Sequence, residues 1–272
     1  MARGPACGTG GPLAGRVALV TGAGRRFAIG AAIARRLAAD GAAVLVHSWE
    51  AHDVEQHARL DPGGGEALAR ELRDGGAAAD HVAADLADPG APGRLVARAR
   101  ERFGTLDILI VAHARSANQS LEQLTAAELD LTYAVNTRAA LLLVQALAAD
   151  RPAGPGGRVV LFTSGQYHEA MGGELPYIAS KGALAQVTGS LAVELIARGI
   201  TVNCVDPGPT DTGYADPPTL AAVARRIPGG RWSEPQDAAR LVAWLAGEEA
   251  GWVTGQLIAS DGGWARRPRG AD

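Results

Sequence analysis

Residues 16–46 read RVALVTGAGRRFAIGAAIARRLAADGAAVLV and decide the fold. The stretch opens with a short apolar run, Arg16–Thr21, and passes through a glycine-bearing turn into the helical pattern Ile29–Ala39. A second apolar run, Ala43–Val46, follows the helix. A buried strand, a helix and a second buried strand in this order are typical of two parallel strands joined by a helical crossover. The stretch therefore predicts the first unit of a parallel sheet.

The same succession of apolar runs and helical segments continues along the rest of the chain. None of the runs alternates with polar residues, which is typical of parallel strands buried on both faces. Crossovers between such strands are right-handed, so their helices cover both faces of the sheet. The further predicted strands are His81–Ala84, Asp107–Ala112, Arg158–Thr163, Ile200–Val205 and Gln256–Ile258; the further predicted helices are Glu66–Asp74, Gly93–Phe103, Thr125–Ala149, Pro176–Ala197 and Pro235–Ala246.

The predicted fold class is α/β, a single Rossmann-type, doubly wound parallel sheet with helices on both faces. A chain of 272 residues is a normal length for one such domain. We expect the domain to span residues 15–266, between a flexible N-terminal tail, 1–14, and a short C-terminal tail, 267–272. The polar stretch Ser48–Gly65 contains proline and glycine, which predicts a surface loop.

Composition and charge exclude several classes of protein. The net charge of −3 argues against nucleic acid as the main partner, because a phosphate backbone needs a basic face. We find no apolar run near the roughly 20 residues of a membrane span, and no apolar segment of a signal peptide in Met1–Gly15. Cys7 and Cys204 are too few for a disulfide framework or a zinc site. We expect a cytoplasmic protein without a bound metal.

The turn after the first strand, Thr21–Gly30, predicts a dinucleotide site. Small residues let backbone N–H groups and the helix N-terminus approach a pyrophosphate closely. A plain glycine-rich turn between a strand and a helix is the alternative, because a lone glycine motif is a weak signal.

The end of the second strand bears on the choice of cofactor. An NAD site normally places a carboxylate there, on the ribose 2′-hydroxyl, whereas this chain has Ser48. Ser48 together with Arg25 or Arg26 would accept a 2′-phosphate, which favours NADP(H) over NAD(H). The alternative is that the two arginines are ordinary solvated loop residues.

Four polar residues further along the chain predict carbonyl chemistry. Tyr177 and Lys181 lie four residues apart on one predicted helix, so both can face one cleft. A neighbouring ammonium lowers the pKa of a phenol, which assists proton exchange with an alcohol. Lys181 is also the only lysine in the chain. Ser164 ends the fifth strand and can donate to a substrate oxygen, and Asn136 lies mid-helix, where a buried amide needs polar partners.

Asn136, Ser164, Tyr177 and Lys181, in this order and spacing, resemble the catalytic tetrad of the classical short-chain dehydrogenase/reductase family. The resemblance covers roughly residues 14–266 and includes Asp206-Pro207-Gly208-Pro209, Gly255 and Asp261-Gly262-Gly263. The glycine turn departs from the family's TGxxxGxG pattern, with two extra residues before Gly30 and Ala28 at the usual middle glycine. Val111-Ala112-His113-Ala114 stands where the family has NNAG, whose asparagines help to fix the sheet and the adenosine ribose.

The resemblance implies a role for each matching residue. Tyr177 would exchange a proton with the substrate oxygen and Ser164 would polarise that oxygen. Lys181 would hold the nicotinamide ribose and lower the tyrosine pKa, and Asn136 would anchor a water that relays protons to Lys181. The implied cofactor contacts are Gly22, Arg25, Arg26, Ala28, Ile29, Gly30, Ser48, Asp85, Leu86, Tyr177, Lys181, Pro207, Gly208, Thr210 and Thr212, and the implied substrate contacts are Gln166, Tyr167 and Tyr214, with His168 and Trp232 as further candidates.

The sequence therefore predicts an NADP(H)-dependent ketoreductase, similar to the 3-oxoacyl-[acyl-carrier-protein] reductase branch, acting on a small or carrier-borne carbonyl compound. An NAD(P)-dependent dehydrogenase of a sugar or another secondary alcohol is one alternative. A dinucleotide-sensing protein without turnover is another, against which the complete tetrad speaks. The resemblance also implies a homotetramer, with the helices Thr125–Ala149 and Pro176–Ala197 in one interface and the final strand in another.

Overall fold

A computed structural model describes residues 10–56, 61 and 63–266. In these ranges the chain forms a seven-stranded parallel sheet with the strand order β3-β2-β1-β4-β5-β6-β7. The predicted doubly wound α/β fold is confirmed. The strands are β1 (Val17–Thr21), β2 (Ala43–Ser48), β3 (Ala79–Ala83), β4 (Ile108–Val111), β5 (Gly157–Phe162), β6 (Ile200–Asp206) and β7 (Leu257–Ala259).

Helices cover both faces of the sheet. One apolar core lies between the sheet and α1 (Ile29–Ala39), α3 (Gly64–Asp74) and α9 (Pro235–Ala246). A second core lies on the opposite face, beneath α4 (Ala91–Phe103), α6 (Ala139–Asp150) and α7 (Leu175–Ile196). The central strands are buried from both sides, which explains why their sequences are apolar throughout instead of alternating.

The strand order reverses direction between β1 and β4. β1 pairs with β2 on one side and with β4 on the other, so the connections that leave β1 and β4 diverge to opposite faces. The crevice at the carboxyl ends of strands at such a switch point is where open α/β sheets bind their ligands. Ser48 ends β2 at this edge, Tyr177 and Lys181 lie on α7, and Asn136 lies in the long helix after β4; the other predicted site residues lie on turns, loops or helix starts at or beyond this edge.

The predicted helix Thr125–Ala149 is interrupted. It consists of α5 (Ala126–Tyr133), one π-helical turn (Ala134–Arg138) and α6. By length and mean hydropathy, 1.2, the combined stretch 126–149 is apolar enough to cross a membrane, contrary to our sequence expectation. Its most apolar window is 56% buried in the protein, and a core helix of a soluble protein passes the same test.

Two further expectations need correction, the loop 48–65 and the start of the domain at residue 15. The predicted loop 48–65 contains α2 (Glu50–Gln56), whose polar sequence lacks an apolar stripe, and the segment after Thr212 contains α8 (Pro217–Arg226), capped by the Asp216 side chain. Leu13 is buried and its N–H donates to the Asp40 carbonyl, so the folded domain begins before residue 15. Residues 1–9, including Cys7, and the predicted tail 267–272 lie outside the described residues.

Candidate active site

A cleft of about 740 Å³ opens at the carboxyl edge of the sheet, above β1 and β4. It joins the glycine turn at one end to the Tyr177 region at the other. Among the predicted site residues, those that line the cleft are Gly22, Arg25, Ala28, Ile29, Gly30, Ser48, Asp85, Leu86, Ser164, Tyr177, Lys181, Pro207, Gly208, Thr210, Thr212 and Tyr214. Arg26, Asn136, Gln166 and Tyr167 do not line it.

The glycine turn provides the close backbone approach that a dinucleotide requires. Gly22 has a φ of 71°, and an added Cβ there would lie 2.5 Å from the Cα of His113. A Cβ on Gly30 would lie 2.5 Å from the Gly22 carbonyl oxygen. Any side chain at either position would therefore collide with backbone. The turn leads directly into α1, whose N-terminus faces the cleft, so the residues present fit a pyrophosphate.

The insertion in the glycine turn directs its two arginines differently. Arg25 lines the cleft and donates from Nη1 to the Thr212 carbonyl, 3.1 Å away, which ties the turn to the loop after β6. Arg26 points away from the cleft and pairs with Asp61, with 2.8 Å between Nε and Oδ1. The prediction that Arg26 contacts the cofactor is therefore not met, because its guanidinium is engaged elsewhere.

The end of β2 has more charge than the sequence suggested. Ser48 is buried and its Oγ lies 2.8 Å from Nε2 of His81, a residue of β3. Asp53, on α2, lines the same part of the cleft and exerts an electrostatic pull on Arg25. Burial raises the pKa of Asp53, and the charge of Arg25 opposes that shift. A carboxylate thus shares this end of the cleft with Ser48, although it is not on the strand itself.

Two buried histidines connect the strand ends beneath the cleft. His113 lies 2.7 Å from Thr21 Oγ1 through Nδ1 and 2.8 Å from the Val135 carbonyl through Nε2, so it links β1, β4 and the π turn. His47 accepts from the Gly22 N–H and lies 3.0 Å from the Ala84 carbonyl. Burial lowers the pKa of His113 to about 3 and that of His47 to about 4. His113 thereby ties the sheet together directly after Val111 and Ala112, the two positions where the family motif has asparagines.

Asn136 occupies the π turn and is buried. Its Oδ1 accepts from the Arg115 N–H at 2.7 Å, and its Nδ2 donates to the Arg115 carbonyl at 2.9 Å and to Ser180 Oγ at 2.8 Å. Both amide N–H groups are therefore used within the protein. The side chain holds the loop after β4 against α7, which differs from the predicted role of anchoring a water.

Tyr177 and Ser164 are neighbours that both line the cleft, and the Ser164 side chain acts on the Tyr177 phenol. Tyr177 lies in the first turn of α7, and Ser164 follows β5 by two residues. Burial raises the pKa of Tyr177 to about 12, while the neighbouring Ser164 side chain acts in the opposite direction. Our expectation that Lys181 lowers this pKa is not met in the protein alone, because desolvation of the phenol outweighs every favourable contact.

Lys181 lies beneath Tyr177 and is 2% exposed. Its Nζ donates to the Phe162 carbonyl at 3.1 Å and to the His113 carbonyl at 3.5 Å, and it lies 6.0 Å from the centroid of the Tyr177 ring. Burial lowers the pKa of Lys181 to about 8. Most of the population is still protonated at neutral pH, so the ammonium brings a buried positive charge to the floor of the cleft.

The substrate end of the cleft differs from the sequence prediction. Gln166 donates to Thr163 Oγ1 and the Tyr167 hydroxyl donates to Asp206, so the polar end of each side chain is directed into the protein, while Tyr167 as a whole is 43% exposed. Trp232 is buried and donates to the Leu220 carbonyl. The sequence reasoning missed residues that do line this end, since nothing in their local pattern distinguishes them from loop residues: Arg115, Asn118, Met171 and Glu174.

The chain resembles proteins of known family over nearly its whole length. Residues 22–265 match the family described as Enoyl-(Acyl carrier protein) reductase. Dehydrogenase/reductase SDR family member 4 of Homo sapiens is 34% identical over 262 residues, which are 94% of this chain and 90% of that protein.

Solved structures give the same result. A dehydrogenase/reductase from Sinorhizobium meliloti 1021 is 38% identical with a TM-score of 0.82, covering 93% of this chain and 95% of the other. The angucycline C-6 ketoreductase with bound NADP is 35% identical with a TM-score of 0.82, covering 94% and 97% of the two chains.

Proposed function

This chain belongs to the classical short-chain dehydrogenase/reductase family and is an NAD(P)-dependent oxidoreductase of CH–OH and C=O groups; from that premise we propose that it is an NADPH-dependent ketoreductase. The proposal depends most on one observation, the pair formed by Tyr177 and Ser164 in the cleft. A phenol whose pKa is about 12 is fully protonated at neutral pH. It therefore carries the proton that reduction of a ketone requires, although burial makes it a weaker acid than free tyrosine.

The proposed reaction assigns one task to each residue. The substrate carbonyl oxygen accepts hydrogen bonds from Tyr177 and Ser164, which polarises the C=O bond. When bound, NADPH supplies the hydride to the carbonyl carbon. Tyr177 transfers its phenolic proton to the oxygen on which negative charge develops, so that a secondary alcohol leaves. The buried Lys181 ammonium binds the nicotinamide ribose and stabilises the resulting phenolate.

We propose NADPH as the preferred reductant because of the charges at the end of β2. Ser48 stands where an NAD site has its carboxylate, and Arg25 lines the cleft nearby. The angucycline ketoreductase, similar in fold and sequence, has NADP bound. The Asp53 carboxylate opposes a 2′-phosphate in this region, so its charge weakens the preference without reversing it.

We propose that the enzyme is a homotetramer. Leu143 and Val144, in the first of the two helices that the resemblance places in an interface, are buried within the protomer and so do not contribute to an exposed apolar surface. Other apolar side chains are exposed on α7 and near β7: Val193 (78%), Ile196 (43%), Trp252 (96%) and Leu257 (39%). Such patches on two elements are typical of surfaces that another subunit covers. A light-scattering mass of one 27.8 kDa chain would exclude the tetramer.

The cytoplasmic location stays a prediction.

The test of the ketoreductase proposal is oxidation of NADPH, followed at 340 nm, against a panel of simple ketones, β-ketoacyl thioesters and polycyclic ketones. We expect turnover with at least one ketone, and faster turnover with NADPH than with NADH. Oxidation of sugars or secondary alcohols by NAD⁺, without reduction of any ketone in the panel, would favour the dehydrogenase alternative and overturn the proposal.

A further inference from the structure

Glu174 is a partly buried carboxylate at the substrate end of the cleft. It immediately precedes α7 and lies three residues before Tyr177. Within the described ranges no hydrogen bond or ion pair engages its carboxylate, and only its backbone carbonyl is used, by the Ile178 N–H. Burial alone raises the pKa of Glu174. The Glu174 carboxylate therefore lies in the cleft without a partner among the described residues.

The arginine at this end of the cleft is already paired with a carboxylate. Arg115 is buried and forms two hydrogen bonds with the Glu128 carboxylate, at 2.7 and 2.9 Å. That ion pair also lowers the pKa of Glu128, as expected of a carboxylate with a fixed cation. Arg115 is therefore not a cation held ready for an anionic substrate. Apart from the Lys181 ammonium beneath Tyr177, which donates to two backbone carbonyls, the charge that a substrate meets here is that of Glu174.

Glu174 lies in the part of the cleft where the substrate oxygen would meet Tyr177. Its charge contributes to the raised pKa of Tyr177 and to that of Tyr214, which also lines the cleft and is 63% exposed. Glu174, Tyr177 and Tyr214 line the same cleft, and Glu174 precedes Tyr177 by about one helical turn at the start of α7. A substrate with its carbonyl at Tyr177 consequently places its neighbouring atoms beside Glu174.

We propose that Glu174 is a specificity-determining residue that selects neutral carbonyl compounds with a hydroxyl group close to the carbonyl and rejects anionic ones. A substrate hydroxyl would donate to the carboxylate and remove the cost of a partly buried, unpartnered acceptor. A substrate carboxylate would instead bring a second negative charge into a poorly solvated cleft, which disfavours binding by repulsion. This inference rests on the ketoreductase function proposed above and narrows its substrate class.

The test compares cyclohexanones that have a hydroxyl, a methyl or a carboxylate at the same ring position, with positions 2, 3 and 4 all included. We expect kcat/KM of the hydroxyl ketone to exceed that of the methyl ketone at least tenfold at one position or more. The carboxylate ketone should be the poorest substrate of each set. The same compounds are titrated by calorimetry into the NADP⁺-loaded enzyme, which ranks their binding without turnover.

Variants then separate charge from shape. Glu174→Gln keeps the size and an acceptor oxygen, and it should raise kcat/KM of the carboxylate ketone at least tenfold relative to the methyl ketone. Glu174→Asp keeps the charge and should keep the rejection. Glu249→Gln is the matched control, because Glu249 is exposed and follows α9 at the far end of the sheet. It should leave all ratios unchanged.

The outcomes distinguish this inference from the proposed function. Equal binding of all three compounds, or a Glu174→Gln enzyme that ranks them as the unmodified enzyme does, would overturn the selection by Glu174. If no ketone were turned over but calorimetry gave the expected ranking, the ketoreductase proposal would fail while the role of Glu174 would stand.

Discussion

The two ends of the cleft are built on opposite principles. At the cofactor end, both ring nitrogens of His47 and His113 have hydrogen-bond partners, and the glycine turn leaves no room for a side chain. At the substrate end, Tyr214 is exposed and Glu174 has no partner among the described residues. The first end is fixed before a ligand arrives, whereas the second leaves polar groups that the ligand itself must satisfy. Changes at the two ends should therefore have separable effects.

The sharpest separation is expected from Tyr177→Phe, which removes only the hydroxyl. Turnover should fall by roughly 10²–10⁴, as is typical when a general acid is lost, while the Kd of NADPH changes less than threefold. Stopped-flow reduction and NADPH fluorescence titration measure the two quantities. Tyr133→Phe is the matched control, since Tyr133 is 52% exposed at the end of α5. Retention of more than a tenth of turnover would contradict the assigned role of Tyr177.

Ser48→Asp is the corresponding change at the cofactor end. An added carboxylate repels a 2′-phosphate but accepts from a ribose hydroxyl, so the order of NADPH and NADH affinities should reverse, by tenfold or more. The turnover with saturating NADH should stay near that of the unmodified enzyme with NADPH, because Tyr177 is untouched. A tenfold preference of the unmodified protein for NADH would contradict the proposed preference for NADPH.

The buried histidines predict how stability depends on pH. The pKa of His113 is lowered from 6.5 to about 3. Between pH 6.5 and pH 3, His113 therefore binds a proton in the unfolded chain but not in the folded chain. The free energy of unfolding from this residue is therefore fully present above pH 6.5 and is lost as pH falls towards 3, at ~1.4 kcal/mol per pH unit. Urea titrations between pH 4.5 and 6 give the free energy of unfolding at each pH. Its slope against pH should be smaller for His113→Asn than for the unmodified protein, by the amount that corresponds to about one bound proton. An unchanged slope would show that the His113 ring is solvated.

The smallest expected effect concerns Asp53. Asp53→Asn removes a negative charge beside Arg25 without changing size, so NADPH should bind about threefold to fivefold more tightly and NADH should bind as before. Fluorescence titration with both cofactors measures this at low and at high salt. Equal gains for the two cofactors would mean that Asp53 does not sense the 2′-phosphate.

The structural features that depend on a local sequence pattern could be predicted from the sequence. The β1–α1–β2 unit and the pair formed by Tyr177 and Lys181 were predictable because periodicity and an i, i+4 spacing reflect backbone geometry directly. The positions of Asp53 and Glu174 were not, because each reaches the cleft through an irregular or polar segment. The direction of the Tyr177 pKa was also beyond the sequence, since it follows from burial in three dimensions.

The π-helical turn, Ala134–Arg138, changes the angle at which the side chains of one long helix point before and after it. Each residue of an α-helix advances the direction of its side chain by about 100°, so one surplus residue lets α5 and α6 present independently chosen faces. Deleting a single residue from the turn would restore uniform winding and leave the apolar face of α6 on the core. The same deletion would rotate the amide of Asn136 away from Arg115 and Ser180. Such a variant should fold yet lose its catalytic geometry.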